Sequence, residues 1–357
     1  MAAGIEEKLK RFRDFWKGAP MDRPLIGFSI GGWFPLQNYS VMQNLRNQEK
    51  ITPDQLDPEA FFRDYDRIVT TFEKVEDDVI RAVAPISPMP WLEAMLGCCV
   101  QIGNESIWVK EGGFDYSRLD DLDLSTDNAW RKKYLQFVRV LKERYGDRCP
   151  VGQPILRGVS DMVAALRGTS QMILDLYDYP DEYHRLGRMC SDFLLDLIKE
   201  QHAVTGPFQG GYVIEQFSLW APGETIRTQE DASALVSPEL YVRFLQEEDR
   251  RLAAAFPYNL IHLHASSLFL LKEILEIKEL NCIQINKDAG GTTIEQELPY
   301  FKMVQADGRR LLIRGKLDRE DLSLLRKTLS PNGLYLQTVV DTVEETQTMG
   351  DYFEPWV

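Results

Sequence analysis

The sequence of 357 residues lacks the features that would place it in a membrane or a disulfide-rich class. It has no run of about 18 uncharged apolar residues, the length a membrane span needs. Residues 1–13 contain no apolar signal-peptide core. The five cysteines form no CxxC pair, so neither a disulfide framework nor a cysteine-rich metal site is predicted. We expect a cytoplasmic protein with free thiols.

Positive charge is also scarce. The chain carries 41 Lys and Arg against 55 Asp and Glu, a formal net charge of −14. This balance argues against general nucleic-acid binding, because a polyanion would be repelled and no basic stripe is visible. It does not exclude an anionic substrate, since a few arginines inside a pocket can dominate the local field.

No Gly-rich phosphate loop occurs, neither GxGxxG nor a Walker-type GK[ST], which argues against a doubly wound nucleotide-binding sheet. Strand and helix patterns instead alternate from Pro150 onward, as in a parallel α/β fold. The predicted strands are 25–30, 79–84, 151–156, 211–219, 260–264, 282–286, 311–314 and 334–340. The predicted helices include 6–16, 53–75, 161–176, 180–203, 238–256, 270–277, 294–305, 320–329 and 343–349.

These elements predict one α/β domain over residues 1–357, a TIM-type (β/α)8 barrel. Residues 151–357 supply regular β/α units. Residues 1–150 are less regular, with helical insertions and a short β excursion at 100–110, and we expect them to cover one rim. Active sites of such barrels lie at the C-terminal ends of the strands.

Histidine is rare, yet two of the four histidines, His262 and His264, close one predicted strand. Being two residues apart, they face the same side of the sheet. Several further polar residues end predicted strands, and tryptophans in neighbouring loops are candidates for an apolar wall. The candidate site comprises Arg157, Glu215, His262, His264, Asp288, Arg314, Lys316 and Gln337, with Trp91 and Trp220 as substrate contacts.

Two groupings of these residues remain open. In the first, the catalytic residues Glu215, His264 and Asp288 supply the ligands of a zinc ion, which accepts imidazole nitrogen and carboxylate oxygen. In the second, Arg157, Arg314 and Lys316 bind substrate carboxylates while His264 or Asp288 moves a proton.

The order of short segments along the chain resembles the uroporphyrinogen decarboxylase superfamily, which includes corrinoid-dependent methyltransferases. The matching segments are 15–18 (Phe-Trp-Lys-Gly), 22–25 (Asp-Arg-Pro-Leu), 91–97 (Trp-Leu-Glu-Ala-Met-Leu-Gly), 166–168 (Leu-Arg-Gly), 179–180 (Tyr-Pro), 230–233 (Glu-Asp-Ala-Ser), 237–239 (Ser-Pro-Glu) and the strand end at His264. The resemblance implies a (β/α)8 barrel and suggests a homodimer.

The resemblance is closer to the methyltransferase branch. True uroporphyrinogen decarboxylases carry an Arg-Gln-Ala-Gly-Arg-Tyr segment, whereas residues 30–35 here read Ile-Gly-Gly-Trp-Phe-Pro. The methyltransferases often bind zinc through His-x-Cys and a later Cys. Here the first motif reads His264-Ala265-Ser266 and the later position falls near 337–339 (Gln-Thr-Val), so both thiolates are missing.

The leading hypothesis is therefore a methyltransferase that moves a methyl group from a small O- or N-methylated donor to a corrinoid protein. Zinc, if bound, would be held by histidine and carboxylates. The alternatives are a cofactor-free decarboxylase of an acidic substrate, such as a tetrapyrrole, and a non-catalytic tetrapyrrole- or corrinoid-binding barrel.

Overall fold

A computed structural model describes residues 4–31, 39–103 and 106–356. Most of the arginine-free segment 30–35 thus lies outside the described residues. The strands are β1 (Leu25–Ile30), β2 (Cys99–Ile102), β3 (Ile107–Lys110), β4 (Tyr212–Ile214), β5 (Leu219–Ala221), β6 (Thr225–Gln229), β7 (Tyr258–Leu263), β8 (Cys282–Asn286), β9 (Arg310–Gly315) and β10 (Leu334–Val340).

The helices are joined in places by short 3-10 segments. They are α1 (Ile5–Lys17), α2 (Ser40–Gln43), α3 (Phe62–Phe72), α4 (Trp91–Met95), α5 (Ala129–Tyr145), α6 (Val159–Arg167), α7 (Thr169–Asp178), α8 (Pro180–Thr205), α9 (Pro238–Phe244), α10 (Gln246–Ala254), α11 (Leu271–Leu275), α12 (Ile294–Ala306), α13 (Arg319–Thr328) and α14 (Val343–Gln347).

A six-stranded parallel sheet in the order β1-β10-β9-β8-β7-β6 is the centre of the molecule. Helices α12 and α13 make the crossovers between β8, β9 and β10. Every residue of β8 and of β10 is buried, as expected when both faces of a parallel sheet are covered. β2 with β3, and β4 with β5, form separate antiparallel hairpins.

Segments 79–84 and 151–156, which lie between β1 and the β4–β5 hairpin, form no regular strand. Isolated parallel bridges join Val83 to Val151 and Gln153 to Ile214. The arrangement is mixed α/β and consistent with a TIM-like fold. Among the described residues, however, the predicted eight-stranded barrel is not closed by a regular ladder.

Where that ladder is interrupted, side chains form hydrogen bonds with the backbone N–H and C=O groups of β1 and β6. The carboxylates of Asp77 and Asp78 accept the N–H groups of Phe28 (3.0 Å) and Ile26 (2.9 Å) in β1. On β6, the Gln153 amide bonds both the N–H and the carbonyl of Arg227, each at 2.8 Å. These bonds satisfy edge groups that a neighbouring strand would otherwise take.

The inner face of the sheet changes from apolar to polar along the strands. Near the N-terminal ends, a buried cluster combines α1 with the first inward residues of five strands: Leu25, Leu260, Cys282, Leu312 and Tyr335. Two positions further along the same strands, on the same face, stand Gly27, His262, Gln284, Arg314 and Gln337. The apolar layer therefore fills the N-terminal end of the sheet's inner face, and the polar groups lie toward the C-terminal ends of the strands.

The structure corrects several predicted elements. Segments 79–84 and 151–156 form isolated bridges rather than strands, one in the first segment and two in the second. The predicted strand 211–219 is the β4–β5 hairpin, turned by a 3-10 segment at Glu215–Phe217. The predicted helix 238–256 is divided into α9 and α10 at Leu245. Strand β6 and helix α5 were not predicted, while β1, β8 and β10 have the predicted bounds.

Within the ranges that the structure describes, no helix combines the length and the apolar character needed to cross a membrane.

Candidate active site

Two histidines stand at the C-terminal end of β7. His262 is buried in the strand (4% exposed), and His264 follows the last strand residue, with 35% of its side chain exposed. Their Nε2 atoms are 3.1 Å apart and their rings are nearly perpendicular, at 81°. The alternation of the strand thus brings both imidazoles to one point, as the sequence predicted.

A chain of hydrogen bonds assigns the proton positions of both rings. The Asp288 carboxylate can only accept; it takes the Nδ1–H of His264 and the Nδ2–H of Asn286, each at 2.8 Å. The Asn286 oxygen then accepts from Nε2 of Gln284 at 3.3 Å, which turns the Gln284 oxygen toward Nδ1 of His262. Each neutral ring therefore carries its proton on Nδ1 and presents an Nε2 lone pair to the other.

Two lone pairs facing each other at 3.1 Å repel unless a cation lies beside them. Either a proton makes one ring an imidazolium, or a metal ion accepts both lone pairs. Asp231 supplies a third donor, since one of its carboxylate oxygens and one ring nitrogen of each histidine all lie within 4.8 Å of one another. The Asp231 carboxylate is 4.0 Å from Nε2 of His264. Two imidazole nitrogens and one carboxylate oxygen are a known zinc ligand set, and the Asp288–His264 bond is the usual outer-sphere support.

The pKa shifts of His262, His264 and Asp288 agree with a neutral His262 and with an ionised Asp288 that supports His264. Burial, together with the positive charge of Arg227, lowers the pKa of His262 well below its ordinary value. The hydrogen bond to Asp288, aided by the charge of Asp231, raises the pKa of His264 despite partial burial. Burial pushes the pKa of Asp288 upward, but the bonds from His264 and Asn286 outweigh it and hold that pKa below its usual range.

These groups line a cavity of about 300 Å³, here called the histidine chamber. Arg157 and Arg227 also line it, and Met89 and Pro90 form an apolar part of its wall. Arg157 donates to Glu93 at 3.0 Å and keeps 33% of its side chain exposed.

A smaller cavity of about 120 Å³, the glutamate chamber, adjoins the first through shared wall residues Pro88, Ile155 and Gln216. It contains Glu215, which accepts a 2.5 Å hydrogen bond from the Ser87 hydroxyl. Burial raises the pKa of Glu215 to about 7, against the lowering effects of Ser87 and Arg314.

The predicted site residues are divided between these places. His262, His264, Asp288 and Arg157 lie in the histidine chamber, whereas Glu215, Arg314 and Gln337 lie in the glutamate chamber. The predicted ligand pair of Glu215 with His264 is therefore not brought together. Lys316 belongs to neither lining and pairs with Asp341 at the surface, at 2.9 Å.

The two predicted tryptophan contacts are located elsewhere. Trp91 is fully buried, bonds the carbonyl of Pro85 at 3.2 Å, and packs against Tyr134 and Phe137. Trp220 packs with α1 at the opposite end of the sheet, where its carbonyl accepts the indole N–H of Trp16 at 2.8 Å. Both are enclosed by protein and line neither chamber.

Two site residues escaped the sequence reasoning. Arg227 lies inside β6, whose sequence Thr-Ile-Arg-Thr-Gln has too few apolar residues to predict a buried strand. Asp231 lies in the segment 230–233 and was not chosen as a site residue; its position just after a strand would have been the useful clue. Its backbone N–H and that of Ala232 bond the buried Asp161 carboxylate, at 3.3 and 3.0 Å, which fixes the turn that carries it.

Comparisons with known proteins support the fold. No protein-family model matches the chain, and no curated protein matches it significantly. Among solved structures, a methyltransferase from Methanosarcina mazei is similar over 97% of this chain and 98% of its own, with a TM-score of 0.65 and 13% sequence identity. A mannanase from Bacillus subtilis covers 99% of this chain and 92% of its own, at 10% identity and a TM-score of 0.39, too low to carry an argument. At 13% identity the likeness to the methyltransferase shows the fold alone.

Proposed function

We propose that the protein is a methyltransferase of the uroporphyrinogen decarboxylase superfamily that transfers a methyl group from a small O- or N-methylated donor to a corrinoid protein. The observation that carries the proposal is the pair of facing Nε2 atoms beside Asp231, in a cavity at the C-terminal edge of the sheet. The overall likeness to a methyltransferase is in keeping with it.

In this proposal His262, His264 and Asp231 would hold a zinc ion. When bound, zinc would act as a Lewis acid on the donor oxygen or nitrogen. The ligand set differs from the sequence-based expectation because Glu215 belongs to the other chamber, while Asp288 orients His264 rather than facing the cavity with a free oxygen.

The remaining residues of the chamber would position the donor. Met89 and Pro90 supply apolar surface that excludes water, and Asn286 with Gln284 keeps the proton of His262 on Nδ1. A cavity of about 300 Å³ is at the lower end of small-molecule pockets. It therefore favours a small donor over a tetrapyrrole.

The test is methylation of free cob(I)alamin by the zinc-loaded protein, followed by the absorbance change to methylcobalamin. Donors would be methoxyacetate, 4-methoxybenzoate and N,N-dimethylglycine. We expect transfer from at least one donor, a loss of at least about 100-fold in His264→Ala, and full activity in the control His184→Ala, an exposed histidine. No transfer by the wild type, or an undiminished rate in His264→Ala, would contradict the proposal.

One observation favours a second candidate, a cofactor-free decarboxylase. Without a metal, the raised pKa of His264 makes it the ring that carries the extra proton, and an imidazolium beside Arg157 could bind an acid and protonate a carbanion. Release of CO2 from a small carboxylic acid that persists after exhaustive chelation would select this candidate over the zinc transferase.

A further inference from the structure

The histidine chamber contains a buried cation that the protein itself leaves incompletely bonded. Arg227 is 0% exposed, yet its guanidinium makes a single hydrogen bond, from Nη1 to the carbonyl of Leu156 at 3.1 Å. Within the described part of the chain, its Nε and Nη2 atoms are buried without a hydrogen-bond partner. A buried donor without a hydrogen-bond partner destabilises the folded protein, and does so more strongly when the donor is charged.

The two unbonded atoms lie on one edge of the guanidinium. Nε–H and Nη2–H point in parallel, the fork that binds both oxygens of a carboxylate. Nη1, the third nitrogen, is the one anchored to Leu156. The side chain is thus held from one direction and offers its two-donor edge in another.

The surroundings leave this charge uncompensated at close range. No carboxylate of the described residues forms a salt bridge with Arg227; Asp161 and Asp231 act on it only from further away. Burial lowers its pKa to about 10, so it remains charged at neutral pH. Arg157 also lines the chamber and adds a second cation.

We propose that the substrate of this site carries a carboxylate, which binds bidentately to Nε and Nη2 of Arg227 and is approached by Arg157, with the reacting end of the molecule directed at His262 and His264. The identity of the reacting end rests on the proposed function; the carboxylate subsite does not. Sequence reasoning placed carboxylate binding on Arg157, Arg314 and Lys316, and the geometry moves its centre to Arg227.

The first test is binding, measured by calorimetry without a corrinoid. Methoxyacetate, 4-methoxybenzoate and N,N-dimethylglycine are each compared with the corresponding carboxamide. We expect at least one carboxylate to bind at least about tenfold more tightly than its amide, and Arg227→Met to remove that preference. Arg185→Met, which changes an exposed arginine paired with Asp120, should bind like the wild type. No carboxylate binding, equal binding of acid and amide, or unchanged binding by Arg227→Met would overturn the proposal.

The second test separates a binding role from a structural one. Arg227→Met removes an uncompensated buried charge, so the ligand-free variant should unfold at a temperature no lower than the wild type. Arg227→Lys keeps the charge but loses the fork, and should bind the acid at least about tenfold more weakly while remaining folded. A large drop in the unfolding temperature of Arg227→Met would assign the residue to the fold and overturn the proposal.

The outcomes also separate this inference from the proposed function. Acid-selective binding without methylation of cob(I)alamin would keep the carboxylate subsite and reject the methyltransferase. Methyl transfer from the carboxamides at the same rate as from the acids, undiminished in Arg227→Met, would keep the methyltransferase and reject the subsite.

Discussion

The histidine chamber and the glutamate chamber adjoin at the same end of the sheet, and each contains an acid whose surroundings set its protonation. Asp288 accepts hydrogen bonds from His264, Asn286 and the backbone of Ala265, so its pKa lies below the usual range. Glu215 accepts one, from Ser87, and burial raises its pKa to about 7. Burial dominates at Glu215, whereas at the less buried Asp288 the hydrogen-bond donors outweigh burial and favour the ionised form.

The comparison also separates two kinds of chemistry. The histidine chamber presents lone pairs and an ionised acid, which suit a bound cation. The glutamate chamber presents an acid that is partly protonated near neutral pH, which suits a proton donor or a neutral hydrogen-bonding wall.

The largest expected effect concerns the segment that separates the chambers. Ser87 faces the glutamate chamber, Met89 and Pro90 face the histidine chamber, and Pro88 lines both. Trp91 anchors this segment through Pro85 and the core. We expect Trp91→Ala to lower the free energy of unfolding by about 3–5 kcal/mol, as measured by urea denaturation.

The matched control for this change is Trp108→Ala. Trp108 is 43% exposed on the β2–β3 hairpin. Its replacement by alanine should lower the free energy of unfolding by about 0.5 kcal/mol or less. Equal decreases in the free energy of unfolding for the two substitutions would show that Trp91 does not anchor the segment between the two chambers.

The next effect comes from Glu215. Its folded pKa of about 7 exceeds the ordinary value of 4.5. The stability it confers is therefore full below pH 4.5 and is lost as the pH rises through 7. Relative to Glu215→Gln, the wild type should lose about 2–3 kcal/mol of unfolding free energy between pH 5 and pH 8. Parallel pH profiles for the two proteins would contradict the raised pKa.

A smaller effect is expected for the same kind of change in the histidine chamber. Asp288→Asn removes the charged acceptor that fixes His264, and outer-sphere changes of this kind typically cost about 10–100-fold in metal affinity. Zinc affinity is measured by competition with a chromogenic chelator. Asp307→Asn, at the opposite edge of the sheet beside Arg309, should bind zinc like the wild type; an equal loss in both variants would remove the assigned role of Asp288.

The smallest effect is a pH dependence of zinc binding. Because the pKa of His264 is raised, protons compete with zinc for its Nε2 as the pH falls. Affinity should decrease by up to about tenfold per pH unit below that pKa, and the decrease should begin at a lower pH in Asp288→Asn, where the hydrogen bond that raises the pKa of His264 is lost. An affinity independent of pH between 6 and 8 would argue against histidine ligands.

Sequence patterns predicted the regular half of the fold well. Strands β8 and β10 are continuous apolar or alternating runs between clear turns, and their predicted bounds match the structure. The pattern failed where side chains replace backbone pairing. The pattern of residues 79–84 is typical of a strand. The carboxylates of Asp77 and Asp78, however, accept the N–H groups of β1 with which such a strand would pair. A residue pattern does not report such long-range bonds.

The part of the site that lies on one strand could be predicted from the sequence, whereas the contacts between residues of different strands could not. The i, i+2 spacing of His262 and His264 requires them to share a face, and Asp288 followed from its position at a strand end. The choice of third ligand depended on the relative placement of separate strands. That placement puts Asp231 within 4.8 Å of the histidine nitrogens and Glu215 in the adjoining chamber, a difference that spacing along the chain does not encode.

The most direct measurement is the metal content of the purified protein by elemental mass spectrometry, after growth with zinc, for the wild type, His264→Ala and the control His184→Ala. The account predicts about one zinc per chain in the wild type and the control, and its loss from His264→Ala. A metal-free wild type, or zinc retained by His264→Ala, would contradict the assignment of the facing histidines as a metal site.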